Sequence, residues 1–136
     1  MRLKDRVALI TGAATGIGRT CALTFAREGA KLLIADVNEK DARSVVDEIN
    51  SNGGEAVFWK TDVRQRAEND AMVAACVEQF GRLDILFCNA GITVPKTLTE
   101  TTDEDIDRVM DVNVKALAWA ARAAVPIRLE QGKGNS

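Results

Sequence analysis

Apolar and polar positions along this chain fall into blocks that change period from one segment to the next. Runs at Val7 to Ile10, Lys31 to Ala35, Ala56 to Lys60 and Ile85 to Cys88 are short, mainly apolar and bounded by turn residues, and they predict four strands. Between them the spacing is helical. Ile17, Cys21, Ala22 and Phe25 share one stripe of Ile17 to Glu28, with Gly29 as a natural stop. Ala42, Val45, Val46 and Ile49 form the stripe of Glu39 to Asn50, which breaks at Gly53-Gly54. Ala71, Ala74, Ala75 and Val77 carry a third helix over Ala67 to Phe80, closed by Gly81. A fourth helix opens on Thr102 as N-cap with acids at Asp103, Glu104 and Asp105, and aligns Ile106, Val109, Met110, Asn113, Leu117, Ala120 and Ala121. Pro126 is expected to bend or end that helix, and Gly132 to Ser136 reads as a loose tail.

Strands that are apolar blocks belong to parallel sheets covered on both faces, and the short connections imply right-handed βαβ units. The fold class expected is α/β: a Rossmann-like doubly wound parallel sheet of about four strands, order 3-2-1-4, with flanking helices. A ligand crevice then lies where the order reverses, between strands 1 and 4. A single dinucleotide-binding domain over residues 1–136 fits the length.

Chemistry concentrates at the carboxyl ends of these strands. Gly12-Ala13-Ala14-Thr15-Gly16-Ile17-Gly18 follows the first strand and opens the first helix. A strand running directly into a helix presents free backbone N–H groups and the positive end of the helix dipole, an anion site. A side chain at Gly12 would oppose the tight turn, one at Gly16 would strike a pyrophosphate, and one at Gly18 would hold the helix off the strand. Asp36 closes the second strand, where a carboxylate accepts both ribose hydroxyls of an adenosine and repels the extra phosphate of NADP. NAD is therefore the cofactor expected, in preference to NADP. Asp62-Val63 ends the third strand and Asn89-Ala90-Gly91 the fourth, so both face the same crevice. Asp62 is placed to accept an adenine amino hydrogen and Asn89 to pin neighbouring backbone, while Ala90 and Gly91 leave room for a ribose. Each short group taken alone is also ordinary turn chemistry.

Composition narrows the partners. Apolar residues make up 46% and charged residues 28%, and a net charge of −2 gives no general attraction to nucleic acid or an anionic membrane. No apolar run is long enough for a membrane span, and the charged start leads into a run needed as the first strand. Cys21, Cys76 and Cys88 are widely spaced, odd in number and accompanied by no histidine, so neither a metal site nor a disulfide framework is expected. They read as small core thiols, and a cytoplasmic home follows.

Thr11-Gly12-Ala13-Ala14-Thr15-Gly16-Ile17-Gly18, Asp36, Asp62-Val63, Asn89-Ala90-Gly91 and Asn113 within Val112-Asn113-Val114 together resemble the short-chain dehydrogenase/reductase family over essentially the whole chain. The resemblance implies that Gly12, Thr15, Ile17 and Gly18 shape the pyrophosphate site, Asp36 the adenosine ribose, Asp62 and Val63 the adenine, and Asn89 to Gly91 the ribose region. The lack of a basic residue at Ala13, Ala14 or Thr15 resembles the NAD-preferring members. Asn113 matches one member of the family's catalytic set, where it holds a water near a lysine; a hydrogen-bonded core asparagine is the other reading.

The departures are informative. Cys88 stands where members often carry a polar residue. Family members continue into a fifth strand bearing a serine, a Tyr-x-x-x-Lys helix and further strands, whereas this chain reaches Ser136 with no tyrosine and no histidine. The resemblance thus implies the cofactor-binding part of an oxidoreductase moving hydride between NAD and an alcohol or carbonyl, catalytically incomplete as this chain. The alternatives are a short non-catalytic NAD-binding or interaction subunit that associates with a longer homologue, and a relic that folds poorly. The glycine spacing argues against an unrelated Rossmann-like enzyme acting on nucleotide sugars or methyl groups. An apolar strand edge and helical stripe left without neighbours are expected to drive self-association or pairing with a full-length homologue.

Overall fold

The computed structural model describes residues 1–132; the loose tail expected from Gly132 onward lies, beyond Gly132 itself, outside them. Four parallel strands, β1 (Val7–Thr11), β2 (Lys31–Asp36), β3 (Glu55–Lys60) and β4 (Ile85–Cys88), form one sheet in the order β3-β2-β1-β4. Helices α1 (Gly16–Arg27), α2 (Glu39–Ser51) and α3 (Arg66–Phe80) join them in turn. The expected strand order and crevice position are both found.

Register explains the two cores. Ile10 lies beside Ile34 and Phe87, and Leu9 beside Leu33 and Leu86. Alternate side chains point to opposite faces. Ala8, Ile10, Leu32 and Ile34 pack beneath Ala22 of α1 and Ala42, Val45 and Ile49 of α2. Val7, Leu9, Leu33 and Ala35 pack on the other face against Met72, Val73 and Cys76 of α3 and Ala120 and Ala124 of the last helix. The central strands are apolar between their end residues because both faces are covered.

Three expectations about helices are corrected. In α3 the buried positions include Met72, Val73, Ala75 and Cys76, whereas Ala71 and Ala74 are exposed. Alanine has little apolar area to bury, so the larger Met72 and Val73 set the face. The fourth predicted helix is α4 (Asp103–Met110), a π turn at Asp111–Lys115, and α5 (Ala116–Glu130). The extra residue per turn shifts the phase of the positions that follow it, Leu117 among them. Val112, Ala116, Ala120 and Ala124 are buried, while Ile106, Met110 and Leu117 of the predicted stripe are about half exposed. Finally, α5 continues past Pro126 to Glu130. Pro126 is exposed, so the carbonyl it leaves without a partner is tolerated where Ala120 and Ala124 hold the helix against the sheet.

Carboxamides hold both backbone groups of a single residue at three places. Asn50 accepts from Ala56 N at 2.8 Å and donates to Ala56 O at 3.1 Å. Asn113 makes the same pair with Ile92, both at 2.9 Å, and Gln131 with Leu83, both at 2.9 Å. Each amide satisfies both backbone groups of one residue, as a neighbouring strand would. The last two flank β4, tying the segments just before and after it to the end of α5 and to the π turn.

Asp84, almost buried before β4, accepts from Val7 N at 3.0 Å and from Arg82 at 2.6 and 2.7 Å. Burial pushes its carboxyl up, but Arg82, the Val7 amide and Arg6 outweigh burial and hold it below the usual range. Burial pushes the Cys76 thiol up to about 12 and raises Cys88 as well, which keeps both protonated. Among the described residues no helix is long and apolar enough to cross a membrane.

Candidate functional site

A cleft of about 650 Å³ opens at the carboxyl ends of all four strands. Its floor is the turn from β1 into α1. Gly12 has φ +64°, and a Cβ there would lie 2.9 Å from Ala90 Cα. Gly18 admits even less, since a Cβ would lie 2.2 Å from Gly12 O and 2.6 Å from Asn89 Nδ2. Only glycine lets the helix sit this close to the strand ends. Gly16 differs. It has φ +58° and open space where a side chain would be. The Thr15 side chain makes no cap hydrogen bond, and α1 carries no acid in its first turn, whereas α2, α3 and α4 all do. The start of α1 therefore keeps its N–H groups and positive end available for an anion.

Asp36 fixes the next wall. Its Oδ2 accepts from Ala14 N at 3.0 Å and its Oδ1 from Asn38 N at 2.9 Å. These bonds tie the glycine turn to the end of β2 and leave each oxygen with further acceptor capacity. Asn89 locks the opposite side, with Nδ2 donating to Gly12 O at 3.0 Å. Thr11 Oγ1 accepts from Asn89 N and Ala90 N, both at 3.1 Å, so the ends of β1 and β4 form one rigid ledge.

Of the residues singled out in the sequence, Gly12, Thr15, Ile17, Asp36, Asp62, Val63, Asn89, Ala90 and Gly91 line the cleft. Gly18 is buried behind it, while Gly16 is exposed at the start of α1 and is not among its lining residues. Ile17, read as part of the α1 core stripe, is 73% exposed at the cleft instead. Asn113 does not line it and does not sit in an apolar stripe; it is exposed and bound to Ile92, one residue beyond Gly91. A Cβ on Gly91 would come 3.3 Å from Asn113 Oδ1, so the small residue permits that clamp.

The Asp62 carboxylate is already engaged. Arg64 donates to it through Nε at 3.0 and 3.3 Å, through Nη2 at 2.8 Å and through its backbone N–H at 3.0 Å. The Arg64 guanidinium holds the Asp62 carboxyl below its usual value, and an amino hydrogen of a base would share those oxygens. Arg64, Ile92, Thr93 and Arg108 also line the cleft and were not singled out in the sequence. The Asp62-x-Arg64 spacing was the signal available for Arg64; nothing local marks Arg108, which α4 brings in from afar.

A family model described as short chain dehydrogenase matches residues 6–135. The chain belongs to the short-chain dehydrogenase family. Among its relatives in that family, an uncharacterised oxidoreductase of Thermotoga maritima is 45% identical over 134 residues, covering 98% of this chain and 53% of that protein. A 2,5-dichloro-2,5-cyclohexadiene-1,4-diol dehydrogenase, LinX, of Sphingobium indicum is 42% identical, covering 98% and 54%. The crystal structure of a short chain dehydrogenase/reductase from Burkholderia phymatum in complex with NAD superposes with a TM-score of 0.93 at 36% identity, over 98% of this chain and 48% of that one. The chain spans about half the length of the curated relatives it matches. Within this short-chain dehydrogenase sequence, the cleft is built from the Gly12–Gly18 turn and the carboxyl ends of the strands.

Proposed function

We propose that the cleft binds NAD in preference to NADP, and that these residues are the cofactor-binding portion of an oxidoreductase that moves hydride between NAD and an alcohol or carbonyl. The observation that carries this reading is the pairing, on one cleft, of an acid-free helix start with Asp36 at the end of β2. The α1 amides and Gly12, Thr15, Gly16, Ile17 and Gly18 bind and shape the pyrophosphate site. Asp36 accepts the adenosine ribose hydroxyls and repels a 2′-phosphate. Asp62 and Val63 border the adenine, and Asn89, Ala90 and Gly91 the ribose nearer the nicotinamide. Bound nicotinamide supplies the hydride donor or acceptor.

Asn113 acts in this reading by fixing Ile92 and the strand end that would face the nicotinamide. The proton has no carrier of the family's kind here, because the 136 residues contain no tyrosine. General acid–base help is worth ~10²–10⁴-fold, so a polypeptide of these residues alone binds cofactor without useful turnover. The setting is the cytoplasm, where three free thiols persist.

Titration of the chain with NAD and NADP tests the preference. NAD is expected to bind ~10-fold or more tightly than NADP, and Asp36→Ser to narrow the gap, as removal of one charge repulsion requires. Equal affinities in the unsubstituted chain would sink the assignment of Asp36.

A second reading is a non-catalytic NAD-binding subunit that pairs with a longer homologue. It is favoured by the exposure of Ile106, Met110, Leu117 and Leu129 along α4 and α5. Purification from the native source separates the two: a stoichiometric longer homologue supports the second reading, and its absence the first.

A further inference from the structure

Beside the cleft, and sharing Val63, Ala90 and Val112 with its wall, lies a small pocket of about 40 Å³ whose lining runs from buried Asn69 and Thr11 to exposed Asn113 and Leu117. Asn69 of α3 is fully buried beside it. Its Nδ2 donates to Val63 O at 2.8 Å and to Gln65 O at 3.0 Å, while its Oδ1 has no partner. Turning the amide over does not help, because Oδ1 would then face two carbonyl oxygens. The orientation is fixed and the buried acceptor is orphaned, a state that native interiors rarely leave uncompensated. On the same cavity stands Thr11. Its Oγ1 already accepts from Asn89 N and Ala90 N, and among the described residues no acceptor takes its hydroxyl proton. A buried acceptor without a donor and a hydroxyl proton without an acceptor thus border one space large enough for a water, whose share of liquid volume is about 30 Å³.

We propose that this cavity holds one structural water, which accepts the Thr11 hydroxyl proton and donates to Asn69 Oδ1, and that Asn69 is thereby a positioning residue for Val63 in the cleft wall. The water completes a chain of hydrogen bonds from the Asn89-Ala90 ledge, through Thr11 and Asn69, to the backbone of Val63 and Gln65. That chain sets how far Val63 stands from the ledge, and hence the width of the base-binding end of the cleft. The positioning role rests on the reading of the cleft as an NAD site with adenine against Val63; the water itself does not.

Two measurements test the two halves. A high-resolution crystal structure of the chain should show an ordered water within hydrogen-bond distance of both Asn69 Oδ1 and Thr11 Oγ1. An empty cavity, or Oδ1 paired to a protein N–H, overturns the water. Asn69→Leu, which removes both the water contact and the grip on Val63, is then compared with the parent chain for binding of NAD and of nicotinamide hypoxanthine dinucleotide. The ratio of the two affinities should fall about fivefold, the equivalent of one hydrogen bond's discrimination at the base. A merely structural asparagine would weaken both dinucleotides equally and leave the ratio unchanged, which overturns the positioning role. If Asn69→Leu does not fold, Asn69→Ser is read in the same way. Failure of the parent chain to bind either dinucleotide contradicts the cofactor reading and the positioning role together, whereas the water is still decided by the density.

Discussion

At the scale of single residues, three glycines in one turn do three different things. Gly18 is a packing glycine: Gly18→Ala forces a Cβ to within 2.2 Å of Gly12 O. We expect a loss of ~1–3 kcal/mol in urea unfolding, the range for overpacking, together with loss of NAD binding. Gly16 is a conformational glycine with open space above it. Gly16→Ala should cost roughly 1–2 kcal/mol for the left-handed backbone and leave a cooperative fold, and it should weaken NAD because the new methyl stands in the open space beside the first α1 amides. Equal effects of the two substitutions on unfolding and binding would contradict this division. Gly12 combines both constraints. A further charge belongs at this scale. Asp105 is held at about 2, below the ordinary aspartate value of 3.8, first by the Lys96 ammonium at 2.6 Å and then by the Thr102 amide. A carboxyl depressed in the fold contributes stability that is present above its unfolded value and lost as pH falls through its folded one. That loss is expected between about pH 4 and pH 2. Lys96→Met should move the Asp105 titration upward in a carboxyl NMR experiment; an unchanged titration would show that the ion pair does not form in solution.

At the scale of elements, the β4 strand depends on helices that follow it in the chain. Asn113 and Gln131 grip Ile92 and Leu83, just after and just before it. Asn113→Ala and Gln131→Ala are each expected to cost about 1 kcal/mol, the net worth of lost hydrogen bonds at partly solvated groups. Because they act at opposite ends of the strand, their effects should add in the double variant, and strong non-additivity in denaturant unfolding would argue against independent clamps. These elements also show where sequence reading runs out. β1 and β2 were legible because continuous apolar runs are required when both faces are covered. The glycine turn and Asp36 were legible because backbone conformation and charge act within a few residues. The π turn was not, since no local pattern marks an extra residue in a helix, and the phase shift it introduces misplaced Leu117 beyond it. Pro126 reads as a stop, yet tertiary packing of Ala120 and Ala124 carries the helix through it. The roles of Asn113, Arg64 and Asn69 were hidden for a different reason: each depends on a partner whose position only the assembled fold determines.

For the whole molecule, the sheet has β3 and β4 at its edges, and β4 is only half covered along its length. Ile106, Met110, Leu117, Val125 and Leu129 are in addition exposed on α4 and α5. Surfaces of this kind drive association. Sedimentation of the chain across micromolar concentrations is expected to show self-association; a strictly monomeric, cooperatively folded species at all concentrations would contradict that expectation. The architecture nevertheless puts every element of the proposed cofactor site at one end of the sheet, independent of that surface. Whether the cleft is a dinucleotide site is decided by an amide chemical-shift map of the isotope-labelled chain as ADP-ribose is added. Saturable shifts are expected to concentrate in residues 12–18, 36–38, 62–64 and 89–93, the cleft-lining segments and their immediate supports. A folded chain whose shifts stay unchanged there, or move instead around the groove between α1 and α2 lined by Thr20, Glu48 and Asn52, would contradict that assignment.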